Sequence, residues 1–349
     1  MEEVLSPNNP ANLMTPVGGV QALLDPENTA GVTIQQLGEG DNGHRKQVRV
    51  VHKQRAIPSD VGSSKTCNEG TEKPRFEEVM DVNLHAEQII RVDESTIRLL
   101  CDTYSSLVQI PVKFRDSDNN AKNYKLILKD LAESLLLDMD AIRQKVNNDF
   151  LSAIGLHFGK YVGGANVKTY NVIKAEDNAI VLTGFNKWKQ DLKKIGMPGT
   201  PIVFGGGNLD LAIMSAGYGC CNNAGQDISA LTKNAGFKFY EDYSDFNAYF
   251  GHSDAFAMFM PKAAQLVTYN KYVGSFARPH GTTERGTMPD PKLPGISYDI
   301  RIKPSGCDEY YNMYVNLDYD FYFAPNNEFK SGDRLAGVNG ILKGIAGAI

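Results

Sequence analysis

Apolar residues at Leu128, Leu131, Leu135, Met139, Ile142, Val146, Phe150 and Ile154 recur at steps of three or four without a break. A helix repeats every ~3.6 residues, so this spacing keeps them on one side of a single helix from Leu126 to Ile154. At about 1.5 Å per residue that helix is roughly 40 Å long, more than an ordinary globular helix. Gly155, Gly159 and Gly163-Gly164 stop it. A striped helix has to bury its stripe. No partner heptads occur elsewhere, so packing against a sheet is expected rather than a coiled coil.

The sheet-forming stretches lie on both sides of it. In the C-terminal third, Tyr298, Ile300 and Ile302 alternate with Asp299, Arg301 and Lys303. Beyond the Pro304-Ser305-Gly306 turn, Met313, Val315, Leu317, Tyr319, Phe321 and Phe323 alternate with Asn312, Tyr314, Asn316, Asp318, Asp320 and Tyr322. This period of two predicts antiparallel strands with one buried face. The tail from Ser331 is Gly-rich and only weakly apolar.

Upstream of the helix, residues 47–55 (Gln47-Val48-Arg49-Val50-Val51-His52-Lys53-Gln54-Arg55) read as a basic strand. Residues 76–84 read as a second strand, and the polar run from Pro58 to Pro74 joins them as a long hairpin. Arg45, Lys46, Arg49, Lys53 and Arg55 precede an acidic set, Glu72, Glu77, Glu78 and Asp81, so cross-strand attraction is one use for the pattern. Residues 1–45 are rich in Pro, Gly, Asn and Gln without a sustained period and predict an arm, extended or partly helical. Between 185 and 275 short helices and strands mix, with strands at 200–204 and 254–260 and a helix capped by Asn208.

Composition narrows the function classes. With 42% hydrophobic and 22% charged residues the chain is globular, and 349 residues allow about two domains. Lys plus Arg (36) less Asp plus Glu (41) gives −5, which argues against a uniformly basic nucleic-acid coat. No run is long and apolar enough for a membrane span, and Met1-Glu2-Glu3-Val4 lacks the order of a signal peptide. Cys67, Cys101, Cys220, Cys221 and Cys307 are sparse and read as reduced thiols.

Enzyme signals are thin. Gly205-Gly206-Gly207 between a strand and a helix invites a dinucleotide reading, with Asp227 where a ribose-binding acid would be expected. Asp210, however, stands where the third glycine belongs. His252-Ser253-Asp254 sets three triad residue types side by side, and adjacent residues cannot converge as a triad does. The six histidines show no metal-ligand spacing, and Asp318 and Asp320 are expected to be solvated rather than to hold a cation. No catalytic residue, cofactor or metal site is assigned. Arg45 to Arg55 carries five basic residues with no interleaved aromatics, which leaves non-specific phosphate contact.

The order of these features resembles the HK97-fold major capsid proteins of tailed bacteriophages. Residues 48–55 through 76–79 look like the family's E-loop hairpin, and Leu126 to Ile154 like its spine helix. Residues 201–205 look like the strand of the A-domain, 255–264 like the family's late segment in which a strand precedes an Ala-rich piece, and 296–302 with 311–323 like the closing strands. The resemblance implies an α+β fold. Its parts would be an N-arm (1–45), an E-loop hairpin (46–90), a P-domain (91–180, spine helix about 126–155), an A-domain (181–295), closing strands (296–325) and a tail (326–349).

It implies a non-enzymatic protein that self-assembles into pentamers and hexamers of an icosahedral shell around double-stranded DNA. Scaffolding, portal and decoration proteins would be separate partners. Such a chain is made in the host cytoplasm and resides in the virion. The expected inter-subunit contacts are Arg49, Lys53, Arg55, Glu77, Glu78 and Asp81. Some relatives cross-link an E-loop Lys; Lys65 and Lys73 are in position, but that chemistry is not carried over. An encapsulin-like nanocompartment shell shares the fold and stays open as an alternative, with a nucleotide-binding α/β enzyme behind it.

Overall fold

The computed structural model describes residues 17–30, 32–37, 46–53, 75–93, 124–176, 180–195, 199–218, 236–271, 284–304, 310–325 and 337–349. All five cysteines, Asp227, Lys65, Lys73, Arg55 and the hairpin run 58–74 lie outside these residues. Contacts divide the chain into two units. One contains Asn83–Val146 and Thr268–Tyr319; the other contains Pro16–Val82, Asn147–Val267 and Asp320–Ile349.

The fold is α+β. The stripe at 128–154 forms helix α3, Tyr124–Leu156, whose numbering follows two short helices given below. Leu131, Leu135, Met139, Ile142, Val146, Phe150 and Ile154 are all buried, as the spacing requires. Residues of α3 up to Val146 belong to the first unit and those from Asn147 to the second.

Strands β4 (Leu84–Asp93), β9 (Ala264–Tyr269), β10 (Glu284–Pro289), β11 (Ser297–Pro304) and β12 (Tyr310–Phe323) form a five-stranded sheet, with β10-β11-β12-β4 in that order and β9 also paired with β12. The three pairings along that order are antiparallel. Tyr298, Ile300, Ile302, Met313, Val315 and Leu317 are buried on one face, the alternation read from sequence. Arg143 sits one position off the apolar stripe, and its Nε donates to Asp290 Oδ2 at 2.7 Å. Tyr298 Oη donates to the same oxygen at 2.6 Å, while Oδ1 accepts the Lys292 and Leu293 N–H groups. Both charged side chains are buried, so the pair persists only because these partners replace lost water. Asp290→Ala would remove the buried guanidinium's shorter carboxylate contact and leave only the longer one, 3.4 Å from Nη1 to Asp140 Oδ1. It is expected to cost about 3–5 kcal/mol, read as a lower urea midpoint; an unchanged midpoint would contradict the pairing.

The second unit holds two sheets. Strands β5 (Val167–Ile173), β6 (Ile202–Gly205), β7 (Lys238–Glu241), β8 (Ala255–Phe259) and β13 (Ile341–Ala348) lie in the order β5-β13-β8-β6-β7. Helix α4 (Leu182–Ile195) carries Trp188, 1% exposed, whose ring lies 4.5 Å from Phe237 and 4.8 Å from Phe256. Strand β13 is a departure from the sequence reading, which left 326–349 as a tail. It is the second strand of this sheet, parallel to β5 and antiparallel to β8. Gly344 faces Phe256 in the register, and a β-carbon there would collide with the Phe256 ring. The glycine that weakened the strand signal is the residue that lets the ring lie across the backbone. Gly344→Val is therefore expected to cost about 1–3 kcal/mol or more, visible in the urea midpoint; a wild-type midpoint would contradict the close approach.

The N-terminal segment is partly helical, one of the two forms expected of it. Helices α1 (Gly18–Leu23) and α2 (Pro26–Thr29) are drawn into the second unit, with Val20, Ala22 and Leu23 buried. Asn28 donates to Leu23 O and Ala264 O and accepts from the Lys262 N–H and Gln265 Nε2. The Asp25 carboxylate accepts from Tyr240 Oη at 2.6 Å and from Lys238 Nζ at 3.0 Å, and caps α2 at the Glu27 N–H. Tertiary hydrogen bonds, not local periodicity, order this stretch, so no helical period announced it.

Burial pushes the Asp25 carboxyl up, but hydrogen bonds from Tyr240, Lys238 and the Glu27 N–H outweigh it and hold it below the ordinary 3.8. A pKa depressed in the folded state stabilises above the unfolded value and loses that contribution as pH falls through the folded one. Asp25→Asn should therefore flatten the acid limb of a urea-midpoint profile below about pH 4. An acid limb identical to wild type would contradict the assignment.

Candidate functional site

Strands β1 (Thr33–Leu37), β2 (Gln47–Lys53) and β3 (Arg75–Asp81) form a separate antiparallel sheet in the order β1-β2-β3. Strands β2 and β3 are the base of the hairpin expected from sequence. The register runs from Gln47 opposite Asp81 to Lys53 opposite Arg75, so residues 54–74 join the strand ends beyond that last pair. Val48 and Val50 are buried, which fixes the base of the hairpin in its unit. Outside them the sheet is open: β1 is exposed along Thr33–Gln36, and Ile34 and Val79 stand 38% and 53% exposed.

The register decides how the charges are used. Arg49 lies opposite Val79, Lys53 opposite Arg75, Glu77 opposite Val51 and Glu78 opposite Val50. Asp81 accepts a 2.9 Å hydrogen bond from Gln47 Nε2 on the surface. The basic and acidic strands thus adjoin, and Arg49, in register with Val79, has Glu77 and Asp81 two positions to either side on β3. Arg49, Lys53, Glu77 and Asp81 share one face and Glu78 the other, because opposed residues in an antiparallel pair point the same way. Arg55 lies outside the described residues.

The chemistry weighed from sequence is placed elsewhere. Strand β6 does lead through Gly207, at φ +62°, into helix α5 (Asn208–Tyr218). The first N–H of that helix, at Asn208, already donates to Asp254 Oδ1 at 3.0 Å. The protein's own carboxylate fills the place where a phosphate would bind a helix N-terminus. Asp210 follows in the first turn, its carboxyl pushed up by burial and by the charge of Glu241.

His252, Ser253 and Asp254 form a capping turn. Ser253 Oγ donates to Asp254 Oδ2, and His252 Nδ1 accepts the Asp254 N–H. Asp318 is not solvated as expected: it is buried, with Oδ1 2.7 Å from His85 Nδ1 across the β12/β4 pair. Among the described residues no group of His, Cys, Asp and Glu is arranged to hold a metal ion.

Comparison with known proteins gives a consistent direction at low identity. No family model matches the chain, and no curated protein matches it. Solved structures are similar over most of their length. The likeness is to phage capsids and to a virus-like particle. The capsid asymmetric unit of cyanophage A-1(L) covers 87% of this chain and 88% of its own, at 10% identity and a TM-score of 0.44. The capsid of Ralstonia phage GP4 covers 90% and 86%, at 11% identity and 0.40. The virus-like particle from Pyrococcus furiosus covers 93% and 97%, at 10% identity and 0.37. At this level of likeness the functional reading has to come from the chain's own elements.

Proposed function

We propose that this chain is the major capsid protein of a tailed phage, assembling through pentamers and hexamers into an icosahedral shell that encloses double-stranded DNA. It is a structural protein, made in the host cytoplasm and carried in the virion; scaffolding, portal and decoration proteins are separate partners. The observation that carries the reading is the β1-β2-β3 sheet. Its base is anchored by Val48 and Val50, while the basic strand β2 and the acidic strand β3 lie side by side in a sheet whose edge strand β1 is exposed along Thr33–Gln36. Charges so arranged set register and orientation against a neighbouring copy. Repeated around a ring, many such weak contacts close a shell without high affinity at any one of them.

The test is charge reversal at Arg49 and Arg55. Changing both to Glu is expected to weaken assembly, with the larger loss at low salt, because screening acts within about 10 Å at ~0.1 M. Assembly yield against ionic strength, followed by light scattering, reads this directly. Equal yields for variant and wild type at every salt concentration would remove these residues from the interface. Nuclease-protected DNA inside native particles separates a virion from a protein-filled nanocompartment.

A further inference from the structure

Strand β1 is an open sheet edge without charge. It reads Thr33-Ile34-Gln35-Gln36-Leu37, with no proline and no glycine, in a chain that is 22% charged. Among the described residues it pairs with β2 alone, from Thr33 opposite Val51 to Leu37 opposite Gln47. In an antiparallel pair alternate residues turn their N–H and C=O groups to the partner strand, and the others turn them away. Half of the β1 backbone groups therefore face outward. The side chains from Thr33 to Gln36 are exposed in succession, so neither face of the strand is covered.

A bare edge is a template for another strand, and proteins ordinarily guard one with charge, proline or cover. The other outer strands follow that rule. Strands β3, β4, β5, β7 and β10 each carry charged residues. Strand β9 carries none, but it is buried except at Thr268. At the far edge of the β1-β2-β3 sheet, the exposed Glu78 and Asp81 stand on β3. Among the described outer strands β1 is thus the one both exposed and uncharged. Thr33 and Ile34 are β-branched and favour the extended backbone that such pairing needs.

We infer that β1 pairs antiparallel with the β1 of a second copy of this chain across a two-fold axis, an assignment that rests on the capsid reading proposed above for its supply of identical neighbours. A two-fold contact is made by the same patch on both copies. With the β3 edge guarded by Glu78 and Asp81, the open edge that matches β1 is another β1. All five residues pair only when the axis passes Gln35. That register sets Thr33 opposite the partner's Leu37, Ile34 opposite the partner's Gln36, and Gln35 opposite its own counterpart. No like charges meet in it. The two Gln35 amides each offer a donor and an acceptor, so the pair is self-complementary. The contact joins two three-stranded sheets into one of six strands and lays a neighbour beside Ile34.

The experiment uses the full chain under assembly conditions, with Gln35→Cys and Gln36→Cys as separate variants. Both positions are exposed, so neither change removes core. In the inferred register the two α-carbons at position 35 lie about 5 Å apart, within reach of a disulfide. Those at position 36 lie about 8 Å apart, beyond it. The chains are mildly oxidised and the linked peptides identified by mass spectrometry, which separates a new link from any made by the five natural cysteines. Linking of position 35 to position 35 is expected to exceed linking of position 36 to position 36 by about tenfold or more. Should Gln35→Cys not fold, the double variant Thr33→Cys, Leu37→Cys reads the same register through a link from 33 on one copy to 37 on the other. Within one strand those positions stand about 13 Å apart and cannot close on each other.

Equal linking at 35 and 36 overturns the inference, because it reports collision without a register. Linking of position 35 to a natural cysteine in place of its counterpart also overturns it, since another segment would then occupy the edge. Closed shells with no link at 35 overturn the inference and leave the capsid reading standing. A link at 35 without shells withdraws the capsid reading and leaves the two-fold contact as that of a dimer. Absence of both link and shells removes both.

Discussion

Leu135→Asp and Val146→Asp are each expected to abolish folding of the subunit. Leu135 is 2% exposed and Val146 0%, and both lie on the stripe that runs unbroken along α3. Asp at either place must enter the interior charged and unpaired or be protonated there, and it also gives up the packing of the side chain it replaces. The two losses together come to several kcal/mol, a large share of an ordinary domain's about 5–15 kcal/mol. Leu137→Asp is the matching control: the same substitution on the same helix, at a leucine 71% exposed. It is expected to cost about 0.5 kcal/mol or less in the unassembled subunit. Soluble yield, circular dichroism and urea midpoints read all three. Equal behaviour of the three variants would show that the stripe is not a core face.

Replacing Ser59–Lys73 with a short Gly-Ser turn is expected to spare the subunit and abolish the shell. The replaced run has almost no large apolar residue and lies beyond the last register pair, Lys53 with Arg75. The buried anchors Val48 and Val50 and the backbone bond from the Val82 N–H to Lys46 O are all retained. Little core is removed, so helical circular dichroism and the melting temperature should stay close to wild type. What goes is the polar run that, on the capsid reading proposed above, meets a neighbouring copy. An unfolded subunit would place the run in the core. Normal closed particles would show that the hairpin does not bridge subunits.

The sequence made α3 legible because one period ran unbroken along it and burial followed that period at each described position. The β11–β12 alternation was legible for the same reason, and it fails where a specific partner intervenes. Asp318, on the expected solvent side, is buried against His85, which lies far away in sequence. Strand β13 was missed because Gly344 and Gly347 depress strand propensity, and the ring that needs Gly344 belongs to Phe256, again far away in sequence. Residues 17–29 carry no period because single contacts to Asp242, Lys238, Tyr240 and Gln265 order them. Arg143 was hidden beside the stripe, where a lone cation reads as surface until Asp290 is placed against it. In the hairpin the charges were legible but their register was not, since a one-residue shift in pairing exchanges which side chains oppose.

Imaging of native particles, with subunits counted about their symmetry axes, tests the central claim most directly. The account predicts closed shells built from rings of five and six copies of this chain. A chain that stays a single 38.4 kDa subunit under every assembly condition, with no closed particle in the images, would contradict it.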